Sequence, residues 1–285
     1  MTSEFVVHRP HPALRGLVAE AVGYRQEGLP PAVHRGLPSP SLTLVLPLDA
    51  PLEVVAHADP GQPPGRFDTV VGGLHTRPAL IAHPGRQEGV QLGLTPLGAR
   101  ALLGTPAAEL ASVDVGLDDV LGPGPAAEVL DRVRAARGWP ARFAVLEELL
   151  LRAARPVAGP APEVAEAWRL TLASGGRLRV AELAARVGWS ERHLAHRFRA
   201  ETGLGPKEVA RVVRFDRARR ALAGRVARGG APDLAALSVA AGYADQSHLT
   251  RDWRAFSGLS PTRWLAAELG FVQDAAPARP AGSAA

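Results

Sequence analysis

"RVGWSERHLAHRFRAETGLGPKEV", residues 186–209, and "AAGYADQSHLTRDWRAFSGLSPTRW", residues 240–264, run through nearly the same order of residue types. Aligning Gly188 with Gly242 pairs Ala181 with Ala235 and Leu183 with Leu237 at an offset of 54. After one extra residue in the second turn, an offset of 55 pairs His193 with His248, Leu194 with Leu249, Phe198 with Trp253, Arg199 with Arg254, Gly203 with Gly258 and Pro206 with Pro261. An internal repeat of this kind is one supersecondary unit used twice.

Each copy reads as helix, tight turn, helix. In the first, Val180, Leu183, Ala184 and Val187 make an apolar face, Gly188 permits a left-handed turn, and Ser190 caps the next helix, "ERHLAHRFRAETG". Leu194 and Phe198, four apart, face inward, the pattern of a helix-turn-helix. Burying them turns Arg192, His196 and Arg199 outward. In the second copy, burying Leu249, Trp253 and Phe256 turns Ser247, Arg251 and Arg254 outward, with Gln246 at the helix start. Such donor-rich side chains suit guanine and adenine edges in a major groove, or phosphates. Trp189 and Tyr243, at equivalent turn positions, read as core; His193 and His248 read as packing or phosphate contacts.

Between the copies, "KEVARVVRFDRARRALAG", residues 207–224, predicts a helix with Val209, Val212, Val213, Phe215, Ala218 and Leu222 on its packed side. Its length, roughly 27 Å, approaches one duplex turn of roughly 34 Å, so the two second helices are expected in successive major grooves. Arg211, Arg214, Arg217, Arg219, Arg220, Arg225 and Arg228 either add charge near the DNA backbone or cover a solvated surface.

Charge placement agrees with a polyanion partner. Residues 1–162 hold 14 Arg against 16 Asp and Glu, whereas residues 163–270 hold 18 Lys and Arg against 11 Asp and Glu. A basic face of this kind is a phosphate footprint. A chain of 285 residues has room for two domains. Cysteine is absent, which excludes disulfides, thiol nucleophiles and Cys zinc sites. No leader pattern and no run near 18 apolar residues is seen, so a cytoplasmic protein without membrane contact is expected.

The N-terminal part, residues 1–122, reads as β-rich: "SLTLVLPL", "PLEVVAHA", "DTVVGGL", "PALIAH" and "EGVQLGL" are short strands between Gly and Pro turns, which implies a sandwich or small barrel. Thr95 and Pro96 open a short helix closed by Gly104. Residues 123–154 predict a pair of helices, one from Pro125 to Gly138 and one from Pro140, the latter with an apolar stripe of Phe143, Leu146, Leu149 and Leu150 for core packing or a dimer contact. Residues 155–162, "RPVAGPAP", are the expected linker, 163–270 the DNA-binding domain, and 271–285 a disordered tail.

Residues 163–270, through "VAELAARVGWSERHLAHRFRAETGLGPKEV" and above all "AAGYADQSHLTRDWRAFSGLSPTRW", resemble the DNA-binding region of the AraC/XylS family of transcription regulators. The resemblance implies an α+β two-domain fold: a seven-helix domain carrying two helix-turn-helix units behind a cupin-like β-barrel that senses a small-molecule effector and forms a homodimer. It also implies action on double-stranded promoter DNA as an activator that touches RNA polymerase. Base reading is carried over to Arg192, Ala195 and His196 in the first unit, and to Gln246, Ser247 and Arg251 in the second; the outward-facing Arg199 is a further candidate. Ala195 departs from a hydrogen-bonding type and offers only an apolar contact, to a thymine methyl. Ser190, Arg254, Thr262 and Arg263 are the candidate phosphate contacts.

Two rival readings stand beside this one. A metal-dependent barrel enzyme would draw on His34, His57, His75 or His83 with Asp59 or Glu88, but these histidines are scattered and none is two residues from another. His75 and His83 flank "TRPALIA" and are expected near a pocket mouth. No Gly-rich phosphate loop, GxSxG or HExxH occurs, so no catalytic residue, cofactor or metal is expected. A non-specific architectural protein would bind any duplex with little discrimination.

Overall fold

The computed structural model describes residues 2–155, 159–268 and 279–280. It opens with strands β1 (Thr2–His8), β2 (Val18–Glu27), β3 (Ala32–Gly36), β4 (Leu42–Pro47), β5 (Leu52–Ala56), β6 (Gly65–Phe67), β7 (Val70–Gly72), β8 (Ala79–His83) and β9 (Arg86–Leu94). A two-residue strand β10 (Asp114–Val115) follows later. Among the described residues these form two sheets, β10-β7-β4-β9-β2-β1-β11 and β3-β8-β5-β6, where β11 is Arg279–Pro280. Apart from the β1–β11 pair, the ladders are antiparallel.

The larger sheet is covered on both faces, which is why "LTLVLP" is a continuous apolar run rather than an alternating one. Val45 and Val70 point into the barrel toward Leu52, Val54 and Ala79. Their neighbours Leu44, Leu46 and Val71 point the other way, into a second core. That core is closed by α3 (Pro123–Ala135) and α4 (Gly138–Ala153), through Leu130, Val133, Phe143 and Leu146. The stripe on α4 therefore faces the barrel: Phe143, Leu146 and Leu149 are buried and Leu150 is half-buried.

Between barrel and helices the chain makes α1 (Pro96–Gly98), continued as a wider turn through Ala99–Leu103. Thr95 Oγ1 accepts the Gly98 amide at 2.9 Å, and Gly104 closes the segment. A 3-10 turn at Ala107–Leu110 and α2 (Leu117–Leu121) complete this half. Of the expected linker 155–162, residues 156–158 lie outside the described residues. So does most of the expected disordered tail, 271–285. There the structure differs at one place: Arg279 and Pro280 pair with Val6 and Val7, using the open edge that β1 offers.

Seven helices make the C-terminal half among the described residues: α5 (Pro162–Ala173), α6 (Val180–Arg186), α7 (Glu191–Thr202), α8 (Pro206–Ala227), α9 (Leu234–Ala241), α10 (Gln246–Ser257) and α11 (Pro261–Glu268). The two tight turns cross at Gly188 (φ 74°) and Gly242 (φ 81°), in the left-handed region open to glycine. Ser190 and Asp245 cap α7 and α10, accepting the amides of His193 and His248 at 3.2 and 2.7 Å.

Hydrophobic packing divides this half in an uneven way. Leu183, Leu194, Phe198, Leu204, Val209 and Val213 belong to the core that also holds the outer face of the barrel. Val212, Phe215, Leu222, Leu249, Trp253, Phe256 and Trp264 make a core of their own, on which Leu37 is the barrel residue that packs.

Candidate nucleic-acid interface

The first helix-turn-helix is α6 and α7. Leu194 and Phe198 are 0 % exposed, so the opposite side of α7 is fixed toward solvent: Arg192, His196 and Arg199 are exposed and Ala195 is half-buried. The second unit is α9 and α10. Leu249 and Trp253 are likewise 0 % exposed, and Gln246, Ser247, Arg251 and Arg254 are exposed. At the repeat offset Arg192 matches Ser247, His196 matches Arg251 and Arg199 matches Arg254, so the units present equivalent polar faces.

Some candidates already have structural duties. Arg199, whose side chain is 61% exposed, also bonds Glu208 at 2.7 Å across the turn into α8, a surface pair of small energy. Ser190 Oγ is the α7 cap. Arg254, Thr262 and Arg263 are exposed, and Thr262 Oγ1 lies 3.4 Å from Ser260 Oγ. His193 and His248 stand edge-on to Trp189 and Tyr243, with ring centroids 4.5 and 5.1 Å apart. Tyr243 is core, as expected, while Trp189 is half-buried.

The arginines of the spacer helix correct a sequence expectation. α8 has 22 residues, about 33 Å at the usual rise, but several of its arginines bind protein groups. Arg211 bonds Asp252 at 2.7 Å, and Arg214 bonds the Gly176 carbonyl at 2.5 Å. Arg219 and Arg220 both bond Asp216, and Arg225 bonds the Ala231 carbonyl. Burial would raise the Asp216 carboxyl, yet Arg219 and Arg220 outweigh it and hold the group below its ordinary value. Arg217 and Arg228 remain exposed.

A cavity of about 180 Å³ lies inside the barrel mouth, walled at its far side by α8 and α11. Val45, Leu52, Val54, Val70 and Ile81 line its apolar end; Arg35, Arg220, Trp264 and Glu268 line the end against the helices. Sequence reading anticipated a pocket mouth at His75 and His83, and His75 does line this cavity; the rest of the lining comes from many elements and carries no local spacing. His34 and His75 line it, as does Asp114, whereas His83 is buried outside the lining. Burial, reinforced by His83, holds the His34 imidazole down at about 4, neutral at physiological pH. His57 Nδ1 donates to Asp114 Oδ2 over 2.6 Å. Glu88 is clamped by Arg25 and Arg142, and Asp59 caps the Gly61 amide. Among the described residues no three His, Asp or Glu side chains are grouped to hold a metal.

Contacts across the cavity's helical wall are polar. Arg35 on β3 bonds Glu268 at the end of α11 at 2.6 Å and the carbonyl of Ser257, the last residue of α10, at 3.0 Å. The Arg35 amide adds a bond to the same Glu268 carboxylate at 3.2 Å. Glu20 on β2 meets Arg220 of α8 at 3.0 Å. Trp264 is 0 % exposed, and its indole Nε1 has no hydrogen-bond partner among the described residues.

Residues 183–267 match the family model described as a helix-turn-helix domain, and the C-terminal half is an AraC-type helix-turn-helix domain, as the resemblance in the sequence implied. Solved structures extend the likeness to the whole fold. ToxT from Vibrio cholerae O395 superposes with a TM-score of 0.53 at 10% identity, covering 90% of this chain and 100% of that one. A second crystal form of ToxT from Vibrio cholerae gives 0.50 at 10% identity, over 86% and 97%. At this identity the likeness establishes a shared two-domain architecture. No curated protein sequence matches the chain. The helix-turn-helix domain points to DNA-binding transcription regulation. No helix among the described residues is long and apolar enough to cross a membrane.

Proposed function

We propose that this chain is a sequence-specific regulator of transcription, an activator at promoters, that sets α7 and α10 into successive major grooves and answers to a small effector held in the barrel cavity. The observation that carries the reading is the equivalence of the two outward polar faces, each fixed by a buried aromatic behind it. Arg192 and His196 are the base readers of the first unit. Gln246, Ser247 and Arg251 are those of the second, while Arg254, Thr262 and Arg263 serve the phosphates. Arg199 is better suited to bracing α7 against α8. Ala195 offers a methyl contact only.

An architectural protein would need the basic surface but not two matched faces. Selection of bound duplexes from a random pool by the purified chain tests the reading. A two-part motif with its halves about one turn apart is expected; recovery of unselected sequence would refute it. Affinity for the selected site is expected to fall linearly on a log–log plot with salt, as counterions are released. For the cavity, an apolar volume of roughly 150 Å³ accepts a benzene-sized molecule. The lining mixes Val45, Leu52, Val54, Val70 and Ile81 with Glu20, Arg35, Asp114, Arg220 and Glu268, which suits a compact effector carrying both apolar and polar groups.

A further inference from the structure

The two helix-turn-helix units share α8 as a wall. Val209 and Val213 of that helix pack into the core of the first unit, and Val212, Phe215, Ala218 and Leu222 into the core of the second. The first unit is also welded to the barrel: Phe198 and Leu194 share a core with barrel strands, and Arg100 grips Glu201 of α7 through two bonds of 2.7 and 2.8 Å. It is the frame against which the second unit is placed. Apolar packing is non-directional, so one shared helix would leave the second unit free to roll about it.

A second tether joins the units without passing through the α8 core. The turn between α5 and α6, residues 174–177, runs through two successive left-handed glycines, Gly175 (φ 63°) and Gly176 (φ 72°), and is pressed onto α8. A methyl group on Gly176 would sit 2.1 Å from the Ala210 carbonyl oxygen, and one on Gly175 would sit 1.8 Å from a guanidinium nitrogen of Arg217. The Gly176 carbonyl accepts from Arg214 at 2.5 Å, and the same guanidinium lies 5.7 Å from the centre of the Tyr243 ring, in the tight turn of the second unit. Arg177 reaches that unit directly. Its guanidinium donates to the Ala240 carbonyl near the end of α9, and its stem crosses Gly242 so closely that a methyl there would sit 2.9 Å from Cγ.

We propose that residues 174–177, with Arg177 and Arg214 as positioning residues, are a spacing gauge: they lock the rotation of the second unit on α8, so that the chain accepts the two halves of its DNA site at one separation only. The proposal rests on the reading of the chain as a two-unit DNA binder. Each base pair added between the halves turns one of them by roughly 35° about the duplex and shifts it by about 3.4 Å. To follow, α10 must roll relative to α7, which breaks the Arg177 bond to Ala240 and pulls Tyr243 from under Arg214. The length of α8 sets how far apart the recognition helices lie; the turn sets the angle between them.

Spin labels at His196→Cys and Arg251→Cys, in a full chain that has no other cysteine, read the lock without DNA. One narrow distance distribution is expected, and at least twice its width once Arg177→Ala and Arg214→Ala are added. Equal widths would overturn the lock. Arg177→Ala alone, at an exposed residue, should give an intermediate width and serves if the combined variant does not fold. Tyr243→Phe should stay narrow, because the hydroxyl has no hydrogen-bond partner among the described residues and the ring is kept; a broad distribution there would overturn the role given to the ring.

On DNA, the selected duplex is compared with versions carrying one or two base pairs more or fewer between its halves. The wild type is expected to lose at least tenfold in affinity at each change, and the Arg177→Ala, Arg214→Ala variant less than threefold, with single-base preferences inside each half unchanged. A uniform loss at every spacing would make these arginines phosphate contacts and overturn the gauge. So would a wild type selective for bases yet indifferent to spacing. A wild type that selects no bases would instead remove the DNA reading and the gauge with it, while the label distances still decide the lock.

Discussion

Phe198 and Trp253 occupy the same place in two copies of one motif, each fully buried behind a recognition helix, yet they belong to different cores. The first copy has been absorbed into the barrel's packing; the second closes on the spacer helix α8 and meets the barrel through Leu37 and ion pairs beside a cavity. A duplicated sequence thus yields two units alike in the face they show to a ligand and unlike in how they are held. Packing is non-directional and scales with area, whereas a buried ion pair fails abruptly when one member is lost. The first attachment suits a fixed reference, the second a controlled one.

Truncating the two buried aromatics is the strongest way to break this contrast. Phe198→Ala and Trp253→Ala should each cost about 3–5 kcal/mol, but in different parts of a calorimetric trace. Phe198→Ala is expected to lower the transition that melts barrel and first unit together. Trp253→Ala should split off an earlier transition for α9–α11 and leave the barrel's in place. One common shifted transition in both variants would mean the cores are not independent.

The weld itself has a smaller energy. Arg100→Ala leaves Glu201, which is 9 % exposed, without its two charge-assisted bonds, a loss of about 1–3 kcal/mol. Amide exchange should rise on both sides of that joint, in Ala99–Leu110 and in α7, and remain unchanged in α10 and α11. A rise confined to α7 would show that the barrel does not depend on the joint.

The outward polar faces proposed to meet DNA should behave alike where the attachments differ. His196→Ala and Arg251→Ala are each expected to lose about 1–3 kcal/mol of discrimination, at opposite halves of the selected site, with affinity for random duplex nearly unchanged. Competition binding against single-base variants of the site measures this. Loss of discrimination at the same half from both substitutions would break the correspondence between copies.

The smallest expected effect concerns protons. Burial pushes the Glu268 carboxyl above its ordinary value, with Arg35 pulling it back. An acid so raised binds its proton more readily docked than released. Its contribution to docking is therefore complete below the ordinary glutamate range and is lost as the pH climbs through the docked pKa. Acidification from about pH 7 to about pH 5 should tighten docking of α9–α11, seen as slower exchange once intrinsic rates are corrected. His34, held at about 4, stays neutral over that range. Glu268→Gln should remove the dependence; an unchanged pH response in that variant would assign it elsewhere.

The recognition faces were legible because helical periodicity fixes them locally: once Leu194 and Phe198 go in, Arg192 and His196 must come out. Strands β4, β5, β7, β8 and β9 were legible as apolar runs between turn residues. β2, "VAEAVGYRQE", was not, since both its faces are covered and Ala and Gly blur the pattern. β3 offers five residues, "AVHRG", beside prolines. Of the cavity, only a mouth near His75 was legible. Its decisive pair, Arg35 and Glu268, is separated by 233 positions, and a long-range ion pair leaves no periodic trace. The spacer arginines misled for a related reason: a charge run reads as a solvated face, and only the fold supplied Asp216, Asp252 and the Gly176 carbonyl as partners.

Gly203 and Gly258 carry the same contrast down to a single atom. Both end their recognition helices in the left-handed region, at φ 78° and 73°. A methyl group grafted on Gly258 would meet nothing within 4 Å, while on Gly203 it would sit 2.2 Å from the Ala111 side chain, in the seam between barrel and motif. Alanine at the second position strains one turn; alanine at the first also wedges two modules apart. Two glycines inherited as copies have thus come to answer to different neighbours, and tolerance to mutation in one cannot be transferred to its twin.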